Sequence, residues 1–253
     1  MHGGHGIIWT QFILAAALDR LARTAHPLAS DGADTVFAYA DTHAGSGRLD
    51  KPAALALLLA QTPDLASRAY LDALAQGGVE GGHPGSWILA ARVLTARGMA
   101  VESDVNDIDP IAIAAGQPRR EAGWTRFWSH DWFLFLRERL SRAERPDFVF
   151  IDPPADDPRG PGYAIDAAIL LDTLGVPYMV SYPLQAPQAS IDEIGRSGLE
   201  LRRSAGESCG VLLGGGAEAV VLDVLGDLKV LAALLGGDFT VRLPRPPVDD
   251  YCI

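Results

Sequence analysis

Apolar and polar stretches alternate along the chain in a regular order. The stretch from Ile7 to Ala22 has helical spacing and a very apolar first half, so it predicts a largely buried helix. The stretch from Thr35 to Ala40 is short and rich in β-forming residues, and it runs through Asp41 into a turn with two glycines. The stretch from Pro52 to Ala75 predicts two short helices divided near residues 62–64.

The same alternation continues to the end of the chain. Strands are predicted within 99–107 and over 124–128, 147–151 and 178–182, and a closing β-hairpin over 211–214 and 219–224. Helices are predicted over 84–97, after Asp109, and over 132–143, 163–174, 188–197 and 226–235. Apolar strands separated by helices are typical of a mostly parallel sheet that is covered on both faces. We therefore predict an α/β fold with its functional groups in the loops after the strands.

Length and charge limit the function classes. The 253 residues, 48% of them hydrophobic, suit one α/β domain over residues 1–253. The formal net charge of −11 argues against non-specific binding to a phosphate backbone. A local basic patch for RNA and solvated helix faces are two open interpretations of the arginine clusters. Those clusters are Arg137, Arg139, Arg142 and Arg145, and Arg119 with Arg120.

Cysteine and histidine spacing gives no metal or disulfide signal. Cys209 and Cys252 are isolated, so neither a disulfide framework nor a zinc site is expected. His2 and His5 lack a third ligand at a suitable spacing, so no metal is predicted there. The first apolar stretch is too short to span a bilayer, and no signal peptide is recognised. We expect a cytoplasmic protein with no membrane partner.

The turn from Asp41 to Gly47 is the first candidate site. Gly45 and Gly47 allow close approach of the backbone, and turn N–H groups can bind a carboxylate or phosphate. This pattern suits a nucleotide-like ligand, although a purely structural turn explains it as well.

Two acidic residues follow the next two strands. Asp107 suits the ribose hydroxyls of an adenosyl group, and Asp131 suits an adenine amino group. Either carboxylate suits a helix N-cap instead, above all Asp131, which stands just before the helix at Trp132.

Asp152-Pro153-Pro154 follows the strand that ends at Ile151 and is the strongest local signal. Two prolines fix the backbone direction and remove N–H donors, so the Asp152 side chain and nearby carbonyls are held rigidly. Such a group of acceptors suits a target amino group whose lone pair must face a methyl donor. The alternative is a rigid exit from the strand without chemistry.

These segments together resemble the family of bacterial methyltransferases that modify N6 of one adenine in large-subunit ribosomal RNA. The matching segments occur in the family's order over most of the chain. They are Ala40-Asp-Thr-His-Ala-Gly-Ser-Gly-Arg48, His83-Pro-Gly-Ser86, Val105-Asn-Asp-Ile-Asp-Pro110, His130-Asp131, Phe150-Ile-Asp-Pro-Pro154 and Tyr178-Met-Val-Ser-Tyr-Pro183.

The resemblance implies a seven-stranded, mostly parallel Rossmann-like sheet, S-adenosylmethionine (SAM) as cofactor, and a small helical insertion at 52–82. It implies that His43 and Ser86 contact SAM beside Gly45 and Gly47. It also implies that Asp107 holds the ribose, Asp131 holds the adenine, and Asp152, followed by Pro153 and Pro154, accepts hydrogen bonds from the target amine.

The chain also departs from the family pattern. Ala155 stands where the family has an aromatic residue that stacks on the target base, a contact worth about 1–3 kcal/mol. Near the N-terminus only residues 2–5 match, and Gln11 or Phe12 replaces polar ligand-contacting residues. Two functions stay open: a SAM-dependent methyltransferase acting on an amino nitrogen, of rRNA or of a small molecule, and a catalytically impaired binding or scaffold protein.

Overall fold

The structure is a computed structural model that describes residues 4–25, 35–50, 55, 65–77, 82–118, 124–154, 157, 159–184, 195–204 and 206–242. Its α-helices are α1 (Gly4–Ala25), α2 (Ala69–Ala75), α3 (Ser86–Ala96), α4 (Pro110–Gly116), α5 (Trp132–Leu140), α6 (Gly160–Leu174) and α7 (Val221–Leu234). Its strands are β1 (Val36–Asp41), β2 (Arg48–Leu49), β3 (His83–Pro84), β4 (Ala100–Asn106), β5 (Trp124–Trp128), β6 (Phe148–Ile151), β7 (Tyr178–Pro183), β8 (Gly198–Arg203), β9 (Cys209–Gly214) and β10 (Gly237–Arg242).

One sheet contains eight of these strands, in the order β10-β8-β9-β7-β6-β1-β4-β5. The adjacent strands β5, β4, β1, β6 and β7 are parallel to one another. β9 is antiparallel to both of its neighbours, β7 and β8, and β10 is antiparallel to β8 at the edge of the sheet. The predicted α/β fold with a mostly parallel, Rossmann-like sheet is confirmed. It has one strand more than the seven expected, because β10 extends the sheet beyond β8.

The chain crosses from β1 to β4 on one side of β1 and later returns to β6 on its other side. The loops after β1 and β6 therefore diverge at the carboxyl edge of the sheet. Such a topological switch point leaves a crevice where open α/β sheets bind their ligands.

Residues of β6 show why the sheet strands are apolar on both faces. Phe148 and Phe150 pack in the core under α1, α3 and α7, whereas Val149 and Ile151 pack in a second core under α5 and α6. Helix α1 is buried along most of its length, and the Trp9 indole donates to the Leu199 carbonyl of β8 at 3.2 Å. No helix in the described ranges has the length and apolarity needed to cross a membrane.

The predicted closing hairpin is wrong in its second strand. Residues 217–220 form a 3₁₀-helix and α7 follows directly, because Gly215 and Gly216 turn the chain with φ of +62° and +100°. The strand that forms a hairpin with β9 is β8 instead, which precedes it in the chain. Of the helix predicted over 188–197, residues 188–194 lie outside the described residues and 195–197 are not helical. Of the 52–82 insertion, only residues 55, 65–77 and 82 are described, and they contain α2.

One arginine of the proposed basic patch is neither on an open surface nor solvated. Arg139 is 4% exposed and its Nη2 atom lies 2.8 Å from Asp104 Oδ2 of β4. Asp104 is 3% exposed and also accepts from Arg126 and from the Trp128 indole. This buried charge network joins α5 to the β4–β5 edge, so Arg139 is unavailable for RNA.

Replacing Asp104 by alanine should therefore lower the free energy of unfolding by about 3–5 kcal/mol, because it leaves a buried guanidinium without its carboxylate. Urea denaturation measures this change. Glu102→Ala is the matched control on the same strand, since its half-exposed carboxylate lies 3.7 Å from Arg126 and should contribute less than about 1 kcal/mol. Equal losses in the two variants would contradict the network.

Candidate functional site at the carboxyl edge of the sheet

A buried carboxylate at the end of β1 organises the site. Asp41 is 0% exposed and accepts three hydrogen bonds: from the His43 backbone N–H at 3.1 Å, from Ser86 Oγ at 2.5 Å and from the Tyr39 hydroxyl at 3.1 Å. Burial raises the pKa of Asp41 to about 7, against the opposing effect of these hydrogen bonds. Asp41 thereby fixes the start of the glycine turn and the start of α3 relative to each other.

The glycine turn and the segment before α3 are in direct backbone contact. Gly85 N–H donates to the Gly47 carbonyl at 2.7 Å, and a Cβ on Gly85 would lie 2.9 Å from Gly47 Cα. Gly47 has a φ of +73°, and a Cβ there would lie 2.6 Å from the Trp87 ring. Glycine is required at both positions, so the two sequence segments form one structural unit.

Asp107 lies at the outer side of this turn. Its Oδ2 atom accepts from the Gly45 N–H at 2.9 Å, and Oδ1 accepts from the Asp109 N–H at 2.9 Å. The carboxylate therefore holds the turn, and each oxygen keeps a lone pair for a further donor. Asp109 is the N-cap of α4 as predicted, because its side chain accepts from Ile111 N.

Asp131 is an N-cap. Its Oδ1 atom accepts from the backbone N–H groups of Phe133 and Leu134, both at 3.1 Å. This is the alternative that its position before Trp132 indicated. Its Oδ2 atom lies 3.8 Å from Arg159.

Asp152 follows β6 and accepts a short hydrogen bond from Ser181 Oγ of β7. Pro153 is buried and packs against the start of α6, where a Cβ on Gly160 would be 3.3 Å from its ring, whereas Pro154 is exposed. The prolines thus turn the chain away from the sheet and leave Asp152 at its carboxyl edge. Ala155 lies outside the described residues.

A cavity of about 140 Å³ lies between these loops. Its walls come from α1, the glycine turn, the start of α3, the ends of β6 and β7, and the β8–β9 loop. The predicted site residues in the lining are His43, Gly45, Gly47, Ser86 and Asp152. Asp107 and Asp131 do not line it, although Asp107 touches its wall through Gly45.

Two side chains of the lining each have a buried polar atom without a hydrogen-bond partner among the described residues. Gln11 is 4% exposed; its Nε2 donates to the Pro84 carbonyl at 3.0 Å, but its Oε1 is unpaired. The His43 Nε2 is unpaired too, while Nδ1 lies 2.7 Å from Thr42 Oγ1. Burial lowers the pKa of His43 to about 4, so the ring is neutral near pH 7.

Thr42 Oγ1 lies 2.7 Å from His43 Nδ1 and 3.3 Å from the Phe150 carbonyl, so it can donate its one hydrogen to either. We assign it to the carbonyl, which places the ring hydrogen of His43 on Nδ1. With the hydrogen on Nδ1, Nε2 is an acceptor. Unpaired buried acceptors are costly, and a ligand N–H would remove that cost for Nε2 and for Gln11 Oε1.

Several residues of the site carry no strong sequence signal. Asn106 bridges three strand ends: its Nδ2 donates to the carbonyls of Thr42 and His130, and its Oδ1 accepts from His130 N. Ser181 of β7, Glu207 of the β8–β9 loop and Cys209 of β9 also line the cavity. The one available signal is position, because Asn106 and Ser181 are polar residues near the ends of apolar strands.

No protein-family model matches the chain, and no curated protein matches it. Among solved structures, a Legionella pneumophila protein of the family DUF519 superposes with a TM-score of 0.69. It is 14% identical and the match covers 93% of this chain and 97% of that chain. At this identity the likeness shows a shared fold.

Two looser matches carry provisional methyltransferase names. One is from Escherichia coli, with 17% identity, a TM-score of 0.36, and coverage of 77% of this chain and 85% of that chain. The other, from Listeria monocytogenes, is named as a class I SAM-dependent enzyme, with 9% identity, a TM-score of 0.39, and coverage of 86% and 70%. Superpositions this loose add nothing to the fold assignment.

Gly85→Ala should lower the free energy of unfolding by about 1–3 kcal/mol, because the added Cβ forces the α3 start away from Gly47. Thermal or urea unfolding measures the loss. Gly226→Ala is the control within α7, where nothing lies within 4 Å of the added Cβ. Alanine there should stabilise the helix by about 0.5–1 kcal/mol. A neutral Gly85→Ala would contradict the close approach.

The raised pKa of Asp41 makes its contribution to stability depend on pH. Between its ordinary value of 3.8 and about 7, the folded state keeps a proton that the unfolded state loses, so stability falls as pH rises through this range. The free energy of unfolding of the wild type relative to Asp41→Asn should therefore decrease between about pH 4 and about pH 7 and level off above.

His43 and His83 have lowered pKa values of about 4 and act in the opposite direction. Both variants carry these histidines, so the difference between the two unfolding curves isolates Asp41. A difference that stays constant with pH would show that Asp41 is ionised in the folded state at ordinary pH.

Proposed function

We propose that the protein is a SAM-dependent methyltransferase that acts on an amino nitrogen. The observation that carries this proposal is the cavity at the switch point, where the glycine turn, Ser86 and Asp152 meet. The Rossmann-like sheet with ligand groups after β1 and β6, and the sequence resemblance over the same loops, support it.

The lining fits the methionyl end of SAM. That end carries an ammonium group, which needs acceptors. Gln11 and His43 line the cavity, and their unpaired Oε1 and Nε2 atoms, which are buried here, would turn to face the ammonium group on binding. Ser86 would complete this end, and Asp107 would hold the ribose beyond Gly45 with its remaining lone pairs. A cavity of about 140 Å³ is smaller than the roughly 300 Å³ at which ligand pockets begin, so it suits only part of this cofactor.

The assignment of Asp131 to the adenine amino group needs its free oxygen. Because Oδ1 is occupied as the N-cap of α5, Oδ2 would have to accept from the adenine in place of the distant Arg159. Gly45 and Gly47 would provide the close backbone approach for the cofactor.

When bound, SAM supplies a methyl group that its positive sulfur makes electrophilic. Asp152 would accept a hydrogen bond from the target amine and orient the nitrogen lone pair towards that methyl group. Ser181 donates to Oδ1 of the Asp152 carboxylate and so helps to orient this side chain. Pro153 and Pro154 keep the loop rigid without competing N–H donors.

The acceptor that the resemblance indicates is N6 of an rRNA adenine. The chemistry of the site requires only an amino nitrogen within reach of Asp152. A non-catalytic binding protein is the alternative, and it predicts cofactor binding without transfer, or no binding at all.

Asp107→Ala should weaken SAM binding by about 1–3 kcal/mol, the cost of losing a charged acceptor. Isothermal titration calorimetry measures the dissociation constant. Asp166→Ala, an exposed carboxylate on α6, is the matched control and should leave the affinity unchanged. An unaltered affinity in Asp107→Ala would refute its assignment to the ribose.

Asp152→Asn should reduce methyl transfer by about a hundredfold while SAM affinity changes little, because a neutral amide cannot take the proton of the target amine. The assay follows formation of S-adenosylhomocysteine. Full activity of this variant would remove Asp152 from the reaction.

A further inference from the structure

A second cavity lies apart from the one beside Asp152, and no described residue lines both. Its volume is about 490 Å³, within the range of roughly 300–1,000 Å³ that is usual for small-molecule sites. Its walls come from the second half of α1, residues 66–72, the carboxyl end of α3 and the start of α7. Helix α3 lines the first cavity with Ser86 and the second with its C-cap Arg97, and these positions are about 16 Å apart along the helix axis. The second cavity is therefore a separate candidate site.

Arginine side chains are the main polar groups of this second cavity. Its lining includes Arg20, Arg23, Arg68 and Arg97, against three carboxylates among the described lining residues. The whole chain has the opposite balance, with 21 basic and 32 acidic residues. A cluster of cations lining one cavity raises the local concentration of anions there.

Two carboxylates hold three of the guanidinium groups in place. The buried Asp19 of α1 lies 3.1 Å from Arg23 Nε and 2.5 Å from Arg97 Nε. Asp223 of α7 pairs with Arg20, and its Oδ2 atom lies 3.9 Å from Arg23 Nη2. Each carboxylate is thus shared between two arginines, and the three guanidinium groups are gathered from α1 and from the end of α3.

These ion pairs use only part of the hydrogen-bonding capacity of the arginines. A guanidinium group has five N–H donors, and even a bidentate carboxylate takes only two of them. The side chains of Arg20, Arg23 and Arg97 are partly exposed, so donors remain accessible to a ligand. Exposed ion pairs contribute little to stability. Stabilisation of the fold therefore does not account for the whole cluster.

Arg68 faces the weakest competition from a carboxylate. Its Nε atom is 3.9 Å from Asp72 Oδ1, beyond hydrogen-bond distance, and both side chains are exposed. The backbone before it is nevertheless fixed, because the buried Asp227 of α7 accepts from the N–H groups of Ala66 and Ser67 at 2.9 and 2.7 Å. Arg68 is thus placed at the cavity wall by the chain before it and not by its own ion pair.

We propose that the second cavity binds a small phosphorylated molecule with two or more negative charges. Guanidinium groups bind phosphate through paired hydrogen bonds, and four of them line one space here. The carboxylates Asp19 and Asp223 orient three of these groups and leave donors for the ligand. The proposal does not depend on methyl transfer, because the two cavities share no described lining residue.

Titration calorimetry of the full chain with inorganic pyrophosphate tests the proposal, with citrate titrated in parallel as a polyanion without phosphate. Both titrations use the same ionic strength and no divalent cations, because salt screens these charges. We expect a pyrophosphate dissociation constant below about 1 mM, at least about tenfold lower than that of citrate. No binding of pyrophosphate up to about 10 mM, or tighter binding of citrate, would overturn the proposal.

Arginine variants test whether pyrophosphate binds in this cavity. Arg68→Gln and Arg97→Gln should each weaken its binding at least about tenfold, because each removes a charged donor. Arg137→Gln is the matched control, an exposed arginine of α5 outside the lining, and should leave the affinity unchanged.

The two lining variants also separate a ligand site from a structural cluster. Arg97→Gln removes a partner of the buried Asp19, so it affects stability as well as binding. Arg68→Gln leaves the ion pairs of Asp19 and Asp223 intact, so its loss of affinity reports on the ligand alone. Equal pyrophosphate affinities in Arg68→Gln and Arg137→Gln would overturn the proposal.

Discussion

The arrangement of the site depends on one buried carboxylate. Asp41 ends β1 without any contact to water, and its three hydrogen bonds tie together the β1 strand, the glycine turn and the start of α3. A buried carboxylate is unfavourable unless it is protonated or well hydrogen-bonded, so each partner is under strong constraint. Ser86, 45 residues away, is held at the cavity wall for this reason.

The parallel sheet supplies the rest of the geometry. Because β4, β1, β6 and β7 are neighbours and parallel, their carboxyl ends bring Asn106, Asp41, Asp152 and Pro183 to one edge. The side-chain bonds of Asn106 join the ends of β1, β4 and β5, and Ser181 joins β7 to Asp152. The polar residues that follow each strand therefore form one site, although they are distant in sequence.

Much of this arrangement could be predicted from the sequence. β5 was predicted with its observed bounds, and β1, β4, β6 and β7 to within one or two residues, since apolar runs between turns are strong signals. The strand predicted over 219–224 was wrong, because the Val220–Val221 pair favours a strand locally while Gly215 and Gly216 direct the chain into a helix. β8 and β10 were missed since charged residues such as Glu200, Arg202 and Asp238 interrupt their apolar pattern.

The sequence predicted which loops form the candidate site, but not the contacts between these loops. The DTHAGSGR and HPGS segments identified the glycine turn and Ser86, yet their mutual contact through Gly47 and Gly85 appears only when they are folded together. The sequence was compatible with two roles for Asp131, a contact to adenine and a helix N-cap. In the structure Asp131 is the N-cap of α5. Gln11 Oε1 and His43 Nε2 are notable because they are buried and unpaired, which no local sequence pattern predicts.

The cavity beside Asp152 is the proposed site for the methionyl end of SAM. A crystal structure of the full chain with S-adenosylhomocysteine tests this directly. It should show the amino group of the ligand bonded to Gln11 Oε1 or His43 Nε2, the sulfur facing Asp152, and the ribose over Gly45 next to Asp107. Crystals soaked at saturating ligand that show this cavity unchanged, or the ligand bound elsewhere, would contradict this assignment.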